Sequence, residues 1–310
     1  MKTAILIPCY NESATIQKVV TDFKETMPHA DVYVYDNNST DGSDEIAKNA
    51  GAIVCYEYKQ GKGNVVKSMF RGIKADCYIM VDGDDTYPVE SAVEFEELIL
   101  TGKADMVIGD RLSSTYFEEN DRLFHNTGNK VVRKSINLFF KSDLHDIMTG
   151  MRAFSYDFVK SFPIQSKEFE IETEMSVFAL MNNFKIVEIP IQYRDRVEGS
   201  ESKLNTYSDG FKVIMMIFSL IRDERPLMFF SFVSIILLII AAIYFFPILF
   251  NYFNSGIVLK IPTLIVISTV VIIAAIIFFV GVILHVLKRQ HSENLEHHLI
   301  LLNEMKKDDK

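Results

Sequence analysis

The sequence predicts an α/β head, built on a mostly parallel sheet with helices on both faces, followed by two transmembrane helices. Short apolar segments alternate with segments of helical periodicity through residues 1–110, as in a chain of strand–helix–strand units. The strand-like segments are apolar on both faces, which is typical of a parallel sheet covered on both sides. Residues 227–250 and 261–287 contain no Asp, Glu, Lys or Arg, and about 20 apolar residues of helix suffice to cross a bilayer.

The first part of the head is predicted to alternate strand and helix. Strands are expected at 4–7, 32–35, 52–55, 78–81 and 105–108. The first helix follows capping residues at 11–13 and carries apolar residues at helical spacing from Ile16 to Phe23. Further helices are expected at 39–50, 64–75 and 89–100. Ligands of such sheets bind at the carboxyl ends of the strands, and both Asp36 and Asp82 lie at such ends.

The rest of the chain is less regular. We predict helices at 123–140, 168–181 and 207–221, a strand at 186–189 and a polar loop at 192–205. The predicted organisation is a head over 1–205, a juxtamembrane amphipathic helix over 206–226, spans over 227–250 and 261–287, a connecting loop over 251–260 and a tail over 288–310.

The basic residues that flank the apolar stretches predict an orientation in the membrane. Arg222 and Arg225 precede the first stretch, Lys288 and Arg289 follow the second, and the connecting loop contains only Lys260. The positive-inside rule then places the head and both termini in the cytoplasm and the loop outside, in a multi-pass protein of the cytoplasmic membrane. The amino terminus shows no secretory signal pattern, so we expect the head to remain where it is made.

Composition excludes some partners and leaves others open. The net charge of −9 argues against a nucleic-acid partner, which would require a basic face. Cys9, Cys55 and Cys77 lie in apolar contexts without close spacing, so we expect buried thiols and neither a disulfide framework nor a zinc site. Two spans leave little surface within the membrane, and a homo-oligomer is compatible with this arrangement.

The segment Asp82-Gly83-Asp84 carries the clearest chemical signal. Two carboxylates separated by one residue, just past a strand end, can share a hard cation such as Mg²⁺ or Mn²⁺. The glycine between them allows close approach of the backbone. The alternative is a solvated acidic turn without a ligand.

Asp36 ends the second predicted strand and offers a carboxylate to a nucleoside. It can accept a hydrogen bond from a base N–H or a ribose hydroxyl. The alternative is purely structural, because Ser39 or Thr40 can cap the next helix with Asp41 in its first turn.

Several cations are candidates for phosphate binding. Lys62 lies between two glycines and Arg111 ends the fifth predicted strand, at the same edge as Asp82. Arg194, Arg196 and Lys203 lie together on the polar loop before the membrane, where they can meet a phosphate. The alternatives are a flexible turn at Lys62 and a loop of mixed charge at 192–205.

An acidic run begins the helix predicted at 168–181. It contains Glu168, Glu170, Glu172 and Glu174. Residues four apart share a helix face, so Glu170 and Glu174 are expected to act together. A cation, a helix amino terminus or a substrate hydroxyl is needed to offset this density of charge.

Four segments of the head form a recognisable set, namely Pro8-Cys9-Tyr10-Asn11-Glu12, residues 36–41, residues 82–88 and Thr149-Gly150-Met151-Arg152. Together they resemble the family-2 glycosyltransferases, and most closely their polyprenyl-phosphate branch, which includes dolichyl-phosphate mannose synthase. The resemblance covers residues 1–205. The two terminal spans resemble those of bacterial undecaprenyl-phosphate sugar transferases.

The resemblance implies a GT-A fold, which is Rossmann-like, and an inverting sugar transfer assisted by Mg²⁺ or Mn²⁺. It assigns the nucleoside to Pro8, Tyr10, Glu12 and Asp36, the diphosphate to Asp82, and a mobile loop that closes over donor and acceptor to Lys203. The predicted nucleotide-sugar site also includes Lys62, from its position between two glycines. Asp82 and Asp84 would hold the metal and, with Arg111, form the catalytic group. Arg133, Arg196 and Ser202 would face the acceptor phosphate and lipid.

This chain departs from the family pattern after the second aspartate. Relatives often have glutamine where Thr86 stands, so Asp85 is a candidate to replace it. Asp146 is interpreted as a polar organiser and not as a base. The chain has no tryptophan, so the Q-x-x-R-W motif of processive family members is absent and a single transfer is expected.

The implied activity is transfer of one sugar from a nucleotide sugar, with UDP-glucose and UDP-N-acetylglucosamine as leading candidates, to undecaprenyl or another polyprenyl phosphate. The product would be a lipid-linked monosaccharide for modification of cell-envelope glycans. One alternative is a membrane-anchored subunit that binds nucleotide sugar without turnover. The other is transfer to a different lipid acceptor.

Overall fold

A computed structural model describes most of the chain. The described residues are 1–113, 133–138, 140–164, 170–194, 218–219, 222–223, 225–258 and 260–308. The chain divides into two compact units, one of Met1–Val213 with Leu299–Lys310 and the other of Ile214–His298.

In the described part of the head, seven strands form one mixed sheet. They are β1 (Thr3–Cys9), β2 (Asp31–Asp36), β3 (Ile53–Tyr56), β4 (Cys77–Met80), β5 (Met106–Asp110), β6 (Arg152–Ser155) and β7 (Ile186–Pro190). Their order across the sheet is β3-β2-β1-β4-β6-β5-β7. Only β6 runs antiparallel to its neighbours β4 and β5 among these strands. The predicted α/β class with a mostly parallel sheet is therefore confirmed.

Helices connect the strands as predicted for the first part of the head. They are α1 (Ile16–Thr26), α2 (Ser43–Asn49), α3 (Lys62–Gly72) and α4 (Ser91–Leu100), followed by α5 (Tyr156–Ser161) and α6 (Ile171–Met181). The second helix begins at Ser43 and not at residue 39, because the preceding segment forms a turn. Asp36 accepts the Ser39 backbone N–H at 3.0 Å, and Gly42 has a left-handed φ of 81°.

The pair β6–α5 was not predicted. The strand Arg152-Ala-Phe-Ser155 begins with a buried arginine and contains no β-branched residue, so it lacks the usual strand signal. The Ser155 hydroxyl caps α5 by accepting the Phe158 backbone N–H at 3.2 Å. Insertion of β6 between β4 and β5 brings the segment that precedes it, 146–151, beside the end of β4.

Both faces of the sheet are covered by apolar side chains. Ile5 and Ile7 of β1 belong to a buried cluster with Phe23 of α1 and Phe95 of α4. Aromatic rings form a separate set of contacts, in which Phe154 of β6 lies 5.5 Å from Phe70 and 5.0 Å from Phe158. The register pairs Cys9 with Asp36 and Leu6 with Met80. The ends of β1, β2 and β4 therefore meet at one edge.

The second unit contains two long apolar helices, α7 (Pro226–Ser255) and α8 (Ile261–Asp308). Both are long and apolar enough to cross a membrane. Their large side chains face outward, as at Phe232 (65% exposed) and Ile272 (60% exposed), unlike those of a buried core helix. They are candidate membrane spans. Helix α7 extends to Ser255, so the connection is shorter than the predicted loop 251–260.

Small residues bring α7 and α8 into close contact. The Ser234 hydroxyl donates to the Ala274 carbonyl at 2.9 Å. A Cβ at Gly281 would lie 2.7 Å from the Cβ of Phe230. Small residues and an interhelical hydrogen bond are the means by which helices pack when lipid surrounds them.

Candidate active site

The loop after β4 holds Asp82 and Asp84 in fixed positions. The Thr15 hydroxyl donates to the Gly83 carbonyl at 2.6 Å, and the Thr86 hydroxyl donates to Oδ1 of Asp84 at 2.6 Å. Asp84 is buried, whereas the Asp82 side chain is 28% exposed. The loop therefore presents one accessible and one buried carboxylate at the end of a central strand.

Asp85 makes an ion pair on the outside of this loop. It has a left-handed φ of 58°, and its carboxylate lies 2.7 Å from Nζ of Lys18. Lys18 also pairs with Asp22 at 2.8 Å. One oxygen of Asp85 is thus engaged by α1. Thr86, which stands where relatives often have glutamine, instead donates to Asp84.

Lys62 joins the Asp82 loop to α6. Its ammonium lies 2.6 Å from Oδ1 of Asp82 and 2.6 Å from Oε1 of Glu172. Burial alone would lower the pKa of Lys62, but the two carboxylates raise this pKa above its ordinary value. Lys62 is therefore a stable, buried cation beside the accessible carboxylate.

The backbone at Gly150 packs closely against the Asp82 side chain. A Cβ at Gly150 would collide with the Asp82 carboxylate, since it would lie 2.7 Å from the carboxylate carbon. The Gly150 backbone N–H donates to the Tyr87 hydroxyl at 2.8 Å. Burial raises the pKa of the Tyr87 phenol. Only glycine allows this segment to lie so near Asp82.

Arg111 and Asp146 form a buried bidentate pair. Nε and NH2 of Arg111 lie 2.7 Å and 3.1 Å from the two carboxylate oxygens, and the guanidinium lies over the Tyr193 ring at 5.3 Å. Burial would lower the pKa of Arg111, but Tyr87 and Asp146 raise it well above its ordinary value. Glu188 fixes this segment by accepting the Asp146 backbone N–H at 3.0 Å. Asp146 thus fixes the orientation of the Arg111 guanidinium.

Asp36 lies at the end of β2 with one free oxygen. Its Oδ2 accepts the Ser39 N–H, while its buried Oδ1 has no hydrogen-bond partner in the part of the chain that the structure describes. Burial, followed by the Asp36 charge, raises the pKa of the nearby Cys9 thiol to about 12. An unsatisfied buried acceptor is costly, so Oδ1 is positioned to accept a ligand N–H or O–H.

Neighbouring residues of β1 and its loop line the same edge. Pro8 pairs in register with Tyr35, and Tyr10 is 38% exposed. The Glu12 backbone N–H donates to the Ser43 hydroxyl at 2.9 Å, which ties this loop to α2. The Tyr10 ring is therefore exposed at this edge, where a ligand can contact it.

The remaining predicted cations are described in part. Arg133 donates to the His145 carbonyl at 3.5 Å. The Arg194 backbone N–H donates to the Thr86 carbonyl at 2.9 Å, while its guanidinium is 4.0 Å from Glu90. Arg196, Ser202, Lys203 and Glu168 lie outside the described residues, as do most of the predicted loop 192–205 and helix 207–221.

The acidic run contributes Glu172 to the site, and not the expected pair of Glu170 and Glu174. Glu172 is buried and meets Lys62, whereas Glu170 precedes α6 and Glu174 continues it. The spacing of the glutamates shows which of them share a helix face. It does not show which face contacts Lys62, because α3 and α6 are far apart in the sequence. Gly150 was also missed as a site residue; its position in the 149–152 segment was the available signal.

The two aspartates can hold a divalent cation together with a substrate. Among the described residues, no group of three or more His, Cys, Asp or Glu side chains is placed to bind a metal. Mg²⁺ usually takes one or two carboxylates and completes its shell with water and substrate phosphates. The accessible Asp82 and the buried, oriented Asp84 fit this mode.

Residues 4–162 match the model of Glycosyl transferase family 2, and the chain belongs to this family. It is 33% identical to glycosyltransferase AglJ of Haloferax volcanii over 231 residues, which cover 74% of this chain and 75% of that protein. It is 30% identical to a dolichyl-phosphate hexose transferase of the same organism over 223 residues, which cover 72% of this chain and 95% of that protein.

Solved structures support the GT-A-like fold. Glucosyl-3-phosphoglycerate synthase from Mycobacterium tuberculosis, in complex with Mn²⁺, UDP and glucosyl-3-phosphoglycerate, superposes with a TM-score of 0.55. The two proteins are 15% identical, and the match covers 72% of this chain and 79% of that one. The likeness at this identity concerns the fold alone.

Proposed function

We propose that this protein transfers one sugar from a nucleotide sugar to a polyprenyl phosphate, with inversion at the anomeric carbon. The observation that carries the proposal is the placement of Asp82, Asp84 and Lys62 at the end of β4. The wide match to a dolichyl-phosphate hexose transferase supports the acceptor class. The candidate spans α7 and α8 support a lipid acceptor, because they would keep the head at the membrane surface.

The nucleotide sugar binds across the ends of β1, β2 and β4 in this proposal. The free Oδ1 of Asp36 accepts a hydrogen bond from the base or ribose, and Pro8, Tyr10 and Glu12 line the nucleoside. Lys62 contacts the diphosphate. Asp82 and Asp84 would hold a divalent cation, which would supply positive charge next to the departing diphosphate. UDP-glucose and UDP-N-acetylglucosamine are the leading donors.

The reaction requires positioning more than a strong base. An oxygen of the acceptor phosphate attacks the anomeric carbon, and the bond from that carbon to the nucleoside diphosphate breaks with its electron pair leaving on the diphosphate. A phosphate monoester is largely ionised near neutral pH because its second pKa is about 6. The repulsion between the two phosphate groups is offset by the cations Arg111, Arg133, Arg196 and Lys203. The Ser202 hydroxyl donates a hydrogen bond to the acceptor phosphate.

The location proposed for the protein follows from its apolar helices and their flanking charges. The head and both termini lie in the cytoplasm, and the short connection between α7 and α8 lies outside. The product, a lipid-linked monosaccharide, would then form at the cytoplasmic face, where nucleotide sugars are soluble. Modification of a cell-envelope glycan is the proposed use of that product.

The test is a transfer assay with the purified full chain in detergent. Undecaprenyl phosphate, dolichyl phosphate and diacylglycerol are incubated separately with radiolabelled UDP- and GDP-sugars in the presence of Mn²⁺ or Mg²⁺. We expect one donor to give a labelled lipid that mild acid cleaves. Donor binding without labelled lipid would favour the silent subunit, and an acid-stable labelled lipid would favour a glycosyl-diacylglycerol.

A further inference from the structure

Lys62 is shared by two carboxylates that differ in their environment. Its ammonium lies 2.6 Å from an oxygen of Asp82 and 2.6 Å from an oxygen of Glu172. The Glu172 side chain is only 6% exposed, whereas that of Asp82 is 28% exposed. Water or a dissolved ion can therefore reach Asp82 far more easily than Glu172.

This difference decides which ion pair can be exchanged. A buried carboxylate deprived of its cation is left without solvation, and breaking such a pair is strongly unfavourable. Asp82 lies on a loop open to solvent and can accept another cation in place of the ammonium. Glu172 lies in the first turn of α6 and has no comparable access.

The formal charges also match a divalent cation. Asp82, Asp84 and Glu172 supply three carboxylates and Lys62 one ammonium, which gives a net charge of −2. Without Glu172 the same site would carry one negative charge fewer while retaining the Lys62 cation next to Asp82. Glu172 thus offsets the repulsion that Lys62 would otherwise exert on an incoming dication.

We propose that Glu172 retains Lys62 while Asp82 exchanges the ammonium for a divalent cation, so that Lys62 remains available to the donor diphosphate. Glu172 is then a positioning residue that acts through Lys62. The inference rests on the proposed function, because it takes Asp82 and Asp84 as the metal-binding carboxylates.

The exchange predicts opposite effects of two substitutions on the affinity for Mn²⁺. Lys62→Met removes the competing cation and should tighten Mn²⁺ binding by roughly tenfold, which corresponds to about 1.4 kcal/mol. Glu172→Gln removes the buried carboxylate that holds Lys62 away from Asp82 and should weaken binding by roughly the same factor. In the Lys62→Met background, Glu172→Gln should change the affinity by less than about twofold, because Glu172 acts on the metal site through Lys62 in this proposal and the two substitutions are then coupled.

Electron paramagnetic resonance of free Mn²⁺ measures these affinities on the full chain in detergent, with and without UDP. Lys18→Met is the matched control, because Lys18 pairs with Asp85 on the exposed side of the same loop; it should leave the Mn²⁺ affinity within about twofold. Thermal unfolding of each variant verifies folding, and Lys62→Gln replaces Lys62→Met if the latter is unstable.

Two results would overturn the exchange. One is an unchanged or weaker Mn²⁺ affinity in both Lys62 variants. The other is an equal weakening by Glu172→Gln with and without Lys62, which would mean that Glu172 acts on the metal independently. Sugar transfer by the unsubstituted chain, measured in parallel, separates this failure from failure of the proposed function, in which neither Mn²⁺–UDP binding nor lipid labelling would be found.

Discussion

At the scale of single residues, the candidate site depends on side chains whose freedom is removed by specific partners. Thr86 directs one oxygen of Asp84 inward, and Gly150 leaves just enough space for Asp82. Because such partners set the orientation of a carboxylate, they affect ligand binding without contacting the ligand themselves. Two substitutions test whether the site depends on these individual residues.

Asp84→Asn should reduce transfer by roughly two orders of magnitude, comparable to the loss of one group that stabilises charge in a transition state. The amide keeps the shape of the side chain but removes an anionic ligand. Lipid labelling measures activity and thermal unfolding measures folding. Asp22→Asn is the control, because Asp22 lies on α1 and pairs with Lys18 at 2.8 Å. Activity of the unsubstituted chain in EDTA, or of Asp84→Asn without loss, would refute the metal site.

Gly150→Ala should displace Asp82 and raise the KM for the donor, because the added methyl group occupies the space of the carboxylate. We expect a stability cost of about 1–3 kcal/mol from overpacking. Gly102→Ala is a suitable comparison, because Gly102 has a φ of 70° and open space around its Cβ position. This variant should lose about 1–2 kcal/mol of stability through backbone strain alone. An equal KM in both variants would contradict the role of Gly150.

At the scale of elements, β6 and α6 carry the parts of the site that come late in the sequence. Arg152 of β6 is fully buried and donates to the carbonyls of Ile147 and Thr149 and to the Ser176 hydroxyl of α6. Burial lowers the pKa of Arg152 to about 10. The segment that it holds carries both Asp146 and Gly150. One buried arginine therefore joins a strand, a helix and the wall of the site.

Arg152→Met should lower the free energy of unfolding by about 2–3 kcal/mol, because two buried carbonyls lose their donor. Transfer should also fall, and hydrogen exchange at 146–150 should become faster. Lys160→Met is the matched control, since Lys160 donates to the carbonyls of Phe70 and Ile73 away from this segment. If both variants lose stability but neither loses transfer, Arg152 serves the fold alone.

The loop predicted from sequence at 192–205 is the second segment with a testable role. If that prediction holds, Arg196→Ala and Lys203→Ala should each reduce transfer by about tenfold or more and leave the free energy of unfolding within about 0.5 kcal/mol, because a polar loop adds little to a core. Nucleotide sugar with Mn²⁺ should protect the loop from trypsin. Equal cleavage with and without ligand, together with unchanged activity, would identify the loop as a linker.

At the scale of the whole molecule, the chain combines a head that carries charged residues at one end of its sheet with two helices that have exposed apolar surfaces. Exposed side chains such as Phe232 and Ile272 require an apolar environment. The hydrogen bond from Ser234 to Ala274 joins α7 and α8 within their own unit. A bilayer would bury these surfaces and keep a lipid acceptor near the membrane face.

Cysteine labelling tests the proposed topology. In a background with Cys9, Cys55 and Cys77 replaced by alanine, Ser255→Cys should react with a membrane-impermeant maleimide added to intact cells. Ser292→Cys should react only after the membrane is opened, because it follows the basic residues that the positive-inside rule assigns to the cytoplasm. The reverse pattern would invert the proposed orientation.

The sequence by itself determined the features that depend on neighbours along the chain. Apolar runs and helical periodicity predicted β1 to β5, α1 to α4 and the two long apolar helices, because these patterns reflect burial of consecutive residues. Asp82 and Asp84 were recognisable since they lie two residues apart after a strand. The start of α2 was predicted four residues too early. The segment from Asp36 to Gly42 forms a turn whose residues resemble a helix-capping sequence.

The tertiary structure alone decided what depends on contacts between distant segments. Glu172 meets Lys62 across 110 positions of sequence, and Gly150 meets Asp82 because β6 pairs with β4. Arg152 did not indicate a strand, because an arginine in a sequence usually suggests an exposed position. Its burial is possible because the folded chain brings the carbonyls of Ile147 and Thr149 to its guanidinium. Local pattern records which residues are buried, but the choice of partner for a buried charge is made by strand order and helix placement.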